Sequence, residues 1–308
     1  MRIRSIDVFR GMSILLMVFF TLILRLSDSL PELIIHNVRE SIHIGDFVLP
    51  MFLFASGISL VFFIKKRKDL ESRILDIVGR FGKFVMISLF ISSFSAGELF
   101  GMDELMLSAV LFLPVVLLIR FSDKILAGIG IGIFALYFVL QSAMLLPDFT
   151  LHYLGGYSAA IFYLPVMLGG AIVGKNLDKL KEIFVISILI SIVLLAIIPP
   201  YKMSVSPSFM ALSISVSLLI FILVQKTGND ALEYLGKKPI RYWILMFAVL
   251  IVPLDFYALS IGEDRVSLWW FDGVLASLMA MVLLFVVSKG IDLLKSKLEH
   301  GKAHIRNI

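Results

Sequence analysis

Cysteine is missing from all 308 residues. Disulfides, thiolate metal sites and a cysteine nucleophile are therefore excluded, while the compartment stays open. Charge is scarce: 17% of residues are Asp, Glu, Lys or Arg, against ~25% in an ordinary soluble domain. There is also no polar stretch long enough for a soluble domain. The longest connections are an external one over residues 27–46 and a basic internal one over 65–82. What the chain has instead is apolar surface, with 59% hydrophobic residues. A soluble globule of that composition would expose large greasy patches and aggregate, so the excess belongs against lipid. A disordered chain, a secreted disulfide scaffold and an ordinary nucleic-acid binder are ruled out together.

A membrane-crossing helix needs about 20 mostly apolar residues to cover a ~30 Å hydrocarbon layer. Ten segments meet or approach this, near residues 8–26, 47–64, 83–100, 105–119, 125–146, 157–174, 183–198, 209–224, 241–257 and 268–288. The fourth, seventh and ninth are short and suit tilted or bundle-buried helices. The first reads as a spanning helix rather than a cleavable leader, because its apolar run is long and no small-residue cleavage site follows. With the N-terminus inside, 24 of the 28 lysines and arginines fall on the cytoplasmic side, leaving Arg25, Arg39, Lys202 and Arg265 outside. This asymmetry obeys the positive-inside rule and is scrambled by adding or removing one span. The net charge of +5 is thus a topology signal, and no nucleic-acid partner is expected. The expected fold is an all-α, polytopic membrane protein, a bundle of about ten transmembrane helices with both termini cytoplasmic. One transmembrane domain would cover 1–288 and a charged cytoplasmic tail 289–308.

Charged groups inside such helices are costly and mark function or pairing. Asp7 and Arg10 are three residues apart, share a helical face and can pair. Thr21 lies eleven residues beyond Arg10, ~20° off the same face and ~16 Å further along. Asp46 opens the second span, where a carboxylate meets free N–H groups and the positive end of the helix dipole. Pro50 falls in that helix's tolerated first turn. Gly57 faces the same way as Asp46, and its small size either permits close helix packing or leaves room for a ligand. His36 and His43 precede Asp46, but their spacings match no closed ligand set, and no metal is expected. Ser88, Ser92 and Ser95 share a face of the third span, continued by Glu98. Asp272 lies behind Trp269 and Trp270, which read as an interfacial aromatic belt. Gly128, Gly130 and Gly132 lack the strand and spacing of a dinucleotide fingerprint. Gly170 and Gly174 form a GxxxG packing motif.

Ser5, Asp7, Phe9, Arg10 and Gly11, then His36, then Asp46, Val48, Pro50, Phe52, Phe54 and Gly57 make up one pattern. It resembles the transmembrane acyltransferases typified by heparan-α-glucosaminide N-acetyltransferase. The resemblance is specific over residues 2–60, and looser around PPYKMSVSPSFMAL at 199–212 and around Tyr234–Tyr242. His36, ten residues before Asp46, takes the place of the family's active histidine. His43 falls where the family carries a small polar residue. The chain departs from the pattern at Thr21, where an asparagine is usual. It departs again at Arg39, Glu40 and Ser41, which replace a tryptophan-asparagine-glycine stretch. Acceptor specificity therefore does not carry over.

The resemblance implies acetyl-CoA as donor substrate from the cytosol. It implies an amine or hydroxyl acceptor, on a carbohydrate or small molecule, across the membrane. His36 would act as base, Asp46 would orient and stabilise its imidazolium, and Thr21 would donate to the developing oxyanion. Arg10, with Asp7 and Gly57, would serve the donor, whose phosphates suit the basic residues of that side. The chain would be multi-pass in the lipid bilayer, at the plasma membrane if prokaryotic. A homodimer is compatible with the sequence, although no motif specifies one. Two rival readings share the residues: a secondary transporter or flippase without group transfer, coupling ions through Asp7, Glu98 and Asp272, and a family member that has lost catalysis.

Overall fold

The computed structural model describes residues 3–27, 30–31, 42–66, 70–95, 104–143, 156–202, 205–262, 266 and 268–306. Among them no strand occurs beyond an isolated bridge between Ser27 and Leu268. The helices are α1 (Arg4–Leu26), α2 (Val48–Lys66), α3 (Leu70–Ser95), α4 (Glu104–Leu118), α5 (Asp123–Ser142), α6 (Gly156–Lys175), α7 (Leu180–Ile197), α8 (Pro207–Val224), α9 (Asp230–Lys237), α10 (Pro239–Leu245), α11 (Val252–Ser260) and α12 (Trp270–Arg306). A 3₁₀ turn, Ile44–Phe47, leads into α2, and a π-helical segment, Met246–Ile251, joins α10 to α11. Pro253, which has no N–H to donate, stands two residues after the end of that widened segment.

All-helical architecture and membrane-crossing helices agree with the sequence. Among the described residues, seven stretches are long and apolar enough to cross a bilayer: α1, Ile44–Lys65, α5, Leu177–Ile197, α8, Pro239–Ser260 and Trp270–Glu299. Helices also occupy the other three predicted segments, but α4 and the described part of α6 are shorter. α3 begins at Leu70 rather than near 83, so much of the basic connection is helical. Its apolar residues Ile74, Ile77, Val78 and Phe81 recur at helical spacing, with Asp76 and Arg80 between them. No break falls at 288 either: α12 continues to Arg306 through the stretch expected to be a tail. Asp292 pins this extension, accepting from the Tyr234 hydroxyl at 2.5 Å and from Arg241 at 2.6 Å, and pairing with Lys238.

The core lies between α1, α2, α6 and α8. Phe9 of α1 meets Phe54 of α2 and Phe221 of α8 edge-on, with ring centroids 6.2 and 5.3 Å away. α5, α7 and α12 turn aliphatic side chains such as Ile131, Leu189 and Val282 outward, as helices facing lipid do. Lipid tails supply little hydrophobic drive for helix association, so close approach depends on small residues. A Cβ on Gly57 would overlap the Met167 carbonyl oxygen of α6, and one on Gly170 would overlap that of Phe54. Likewise, a Cβ on Gly11 would strike the Leu232 carbonyl of α9, and one on Gly236 that of Asp7.

Gly57→Ala and Gly236→Ala should therefore each lower the melting temperature in detergent, at about 1–3 kcal/mol for overpacking. Gly128→Ala, on a face of α5 with nothing within 4 Å, should be neutral or stabilising by up to about 1 kcal/mol through helix propensity. Equal melting of all three variants would show that these glycines do not set the helix spacing.

Candidate active site

Polar groups gather at the two ends of the bundle. The start of α1, the helix α9 and the extension of α12 share one end, here the terminal end. Arg4 reaches α9 there, pairing with Asp230 and, at 2.8 Å, with Glu233. Asp7 is buried and accepts from Arg10 Nη2 at 2.5 Å, so the predicted pair forms. Arg10 does more than pair. Its Nε donates to the Gly236 carbonyl at 2.6 Å and its Nη1 to Ser59 Oγ at 3.2 Å. One guanidinium thus ties α1 to α2 and α9. Of the two roles open to Gly57, the structure displays packing: α6 backbone fills the space beside it.

Asp46 lies at the far end, in the 3₁₀ turn before α2, and is buried. Its Oδ2 accepts the His43 backbone N–H at 2.9 Å, so it caps this turn rather than α2 itself. Its Oδ1 is 3.0 Å from Lys202 Nζ, and the two side chains are 0% and 3% exposed. The His43 imidazole Nδ1 stands 3.9 Å from Oδ2. Tyr163 of α6 and Glu104, the first residue of α4, lie within electrostatic range of Asp46 and of Lys202 respectively. Burial pushes the Lys202 ammonium below the usual lysine range, and the carboxylates of Asp46 and Glu104 oppose that shift.

The turn presenting Lys202 is held closely. Ser206 Oγ accepts the N–H groups of Tyr201 and Phe209 at 3.0 and 3.3 Å, capping α8, whose first residue is Pro207. Ser208 Oγ donates to the Pro199 carbonyl at 3.0 Å and lies 3.0 Å from Ser206 Oγ. Val205, fully inside, has φ of 51°, a left-handed conformation rare for a β-branched residue. Such strain costs on the order of 1–3 kcal/mol and persists where surrounding contacts over-determine it, often at functional sites.

His36, Arg39, Glu40, Ser41 and Glu98 lie outside the described residues. Thr21 is half-buried on the far half of α1. Ser88 is buried, and Asp272 is exposed in the first turn of α12. Sequence reasoning missed Lys202, Glu104 and Tyr163. Lys202 did carry a signal: it is one of four cations that break the positive-inside pattern, and it follows two prolines. An open cleft of about 380 Å³ lies between α1, α9, α10 and α12. Its lining, including Ile14, Leu235, Tyr242 and Phe285, holds no carboxylate, lysine or histidine.

Lys202→Met should destabilise the protein by about 3–5 kcal/mol, the usual cost of removing one partner of a buried pair. Asp46→Asn should exceed the ~1 kcal/mol of a lost cap for the same reason. The double variant should melt above the sum of the two losses, since neither charge is stranded. Strictly additive losses would show that the two groups do not interact.

No curated protein sequence matches the chain. The family described as heparan-alpha-glucosaminide N-acetyltransferase, catalytic, matches residues 2–177, more than half its length. That stretch includes the element around Asp7 and Arg10, the Asp46 turn, Glu104 and Tyr163. The chain belongs to the heparan-α-glucosaminide N-acetyltransferase catalytic family.

Proposed function

We propose that the protein is a membrane acyltransferase that moves an acetyl group from cytosolic acetyl-CoA to an amine or hydroxyl acceptor across the bilayer. The family match over both sequence elements carries this reading. The separation of its polar ends supports it. The terminal end, with Arg4 and Arg10, faces the cytosol, and the Asp46 end faces outward, in a ten-span topology with both termini inside. The anionic donor is held at the terminal end, where Arg10 and neighbouring basic groups suit its phosphates. The thioester reaches the far end. There the acceptor nitrogen or oxygen bonds to the acetyl carbon, His36 takes the acceptor's proton, and the carbon–sulfur bond breaks. The proton then passes to the departing thiolate, which leaves as free CoA. A neutral imidazole, with an ordinary pKa near ~6.5, suits that proton transfer. Asp46 orients the base, and Thr21 donates to the developing oxyanion. A carbohydrate or small molecule fits the acceptor side, and a homodimer is compatible with the outward apolar faces.

Because the chain has no cysteine, a thiol reagent added to purified protein and acetyl-CoA reports only released CoA. His36→Ala should lower CoA release about 10²–10⁴-fold, the usual contribution of a general base, with CoA binding nearly intact. His43→Ala should be mild. Arg10→Ala should weaken CoA binding per folded molecule. Wild-type turnover in His36→Ala would reject the catalytic assignment. Solute accumulation in vesicles without CoA release would favour the transporter reading.

A further inference from the structure

Lys202 lies beyond the family match, which ends at residue 177. Its surroundings are those of a built site. A lysine on the outer side with no task beyond solubility would extend its ammonium to water. Here the ammonium is turned inward onto Asp46, 3.0 Å away, with both side chains sealed from solvent. The turn behind it is fixed by the hydroxyls of Ser206 and Ser208 and contains Val205 at φ 51°. Asp46 in turn holds two things at once: Lys202 through Oδ1, and the backbone of His43 through Oδ2.

We propose that Lys202 is a positioning residue for acyl transfer. Its ammonium locks the Asp46 carboxylate so that Oδ2 holds the chain at His43, seven residues after the base. The inference rests on the acyl-transfer reading above. The groups facing the pair are His43 from the turn before α2, Glu104 from α4 and Tyr163 from α6.

Burial places the Lys202 pKa below its ordinary value of about 10.4. As pH rises through that depressed pKa, the folded protein loses the ammonium and Asp46 loses its lock. The unfolded chain keeps its proton until about 10.4, so in this window it binds more protons than the folded state. The contribution of Lys202 to stability therefore rises with pH. Activity governed by the lock falls over the same window. A merely structural lysine would instead make activity follow stability.

The test compares wild type, Lys202→Arg and Lys202→Met in detergent, with acetyl-CoA as donor and glucosamine or water as acceptor. CoA release is corrected for folded protein, and hydrogen exchange is followed at the His43 amide. Lys202→Met should lose about a hundredfold in turnover, as a misplaced catalytic group does, and should exchange faster at His43. Lys202→Arg keeps its charge at all accessible pH, so it should retain exchange protection and much of the turnover. The falling alkaline limb of wild type should move to higher pH in this variant. Unchanged exchange at His43 in Lys202→Met overturns the lock. Unchanged turnover per folded molecule, or an alkaline limb identical in wild type and Lys202→Arg, overturns the positioning role. No CoA release by wild type, with faster exchange in Lys202→Met, rejects the acyl-transfer reading while the lock itself stands.

Discussion

Two pairs of the described helices are packed backbone against backbone, and glycine makes both contacts possible. Gly57 and Gly170 bring α2 against α6, and Gly11 and Gly236 bring α1 against α9. In lipid, where apolar side chains gain little by meeting each other, such contacts gain van der Waals packing and fix helix spacing. The contacts of Arg10 take their position from them. Arg10 can donate to the Gly236 carbonyl only because α9 lies against α1, and it reaches Ser59 because α2 packs on the same helix. The edge-on contacts of Phe9 with Phe54 and Phe221 occupy the layer just inside.

The two ends use charge differently. At the terminal end the ion pairs are plural and partly exposed. Arg4, Glu233, Lys237, Lys238, Arg241 and Asp292 sit where water competes, and such pairs contribute little each. They serve to seat α9 and the α12 extension. At the far end one pair is sealed, so its desolvation is paid once and its disruption costs several kcal/mol. A buried pair kept at such cost in a strained turn is better explained by what it positions than by the stability it adds.

Local patterns in the sequence made some of this legible and could not reach the rest. The three-residue spacing of Asp7 and Arg10 predicts a pair, and the pair is there, because both residues belong to one helix with fixed periodicity. Gly57 was ambiguous between packing and room for a ligand, since the residue type cannot say what faces it; only the position of α6 decides. α9 was passed over because its eight residues fall between two spans and its amphipathic stripe is short. α3 starts before its apolar window and α12 runs past its own, because hydrophobicity marks membrane length, while a helix continues wherever caps and pairs allow. Lys202 and Asp46 are separated by more than 150 residues, so no local period connects them. What the sequence did register was an anomaly, a cation on the wrong side.

α2 connects the two ends. Asp46 stands just before it, and Ser59, thirteen residues later, receives Arg10. At 1.5 Å per residue the two polar stations are about 20 Å apart, roughly two thirds of the hydrocarbon layer. Between them lie the Phe9, Phe54 and Phe221 rings, packed and fully buried. The apolar cleft beside α1 and α12 does not join the stations, because it lies on the other side of α1, among α9, α10 and α12. These rings fill the space where α1, α2 and α8 meet, between the two polar stations. The helices that meet at these rings are also those whose ends carry Arg10, Asp46 and the Lys202 turn, so one packed core fixes the position of both polar stations.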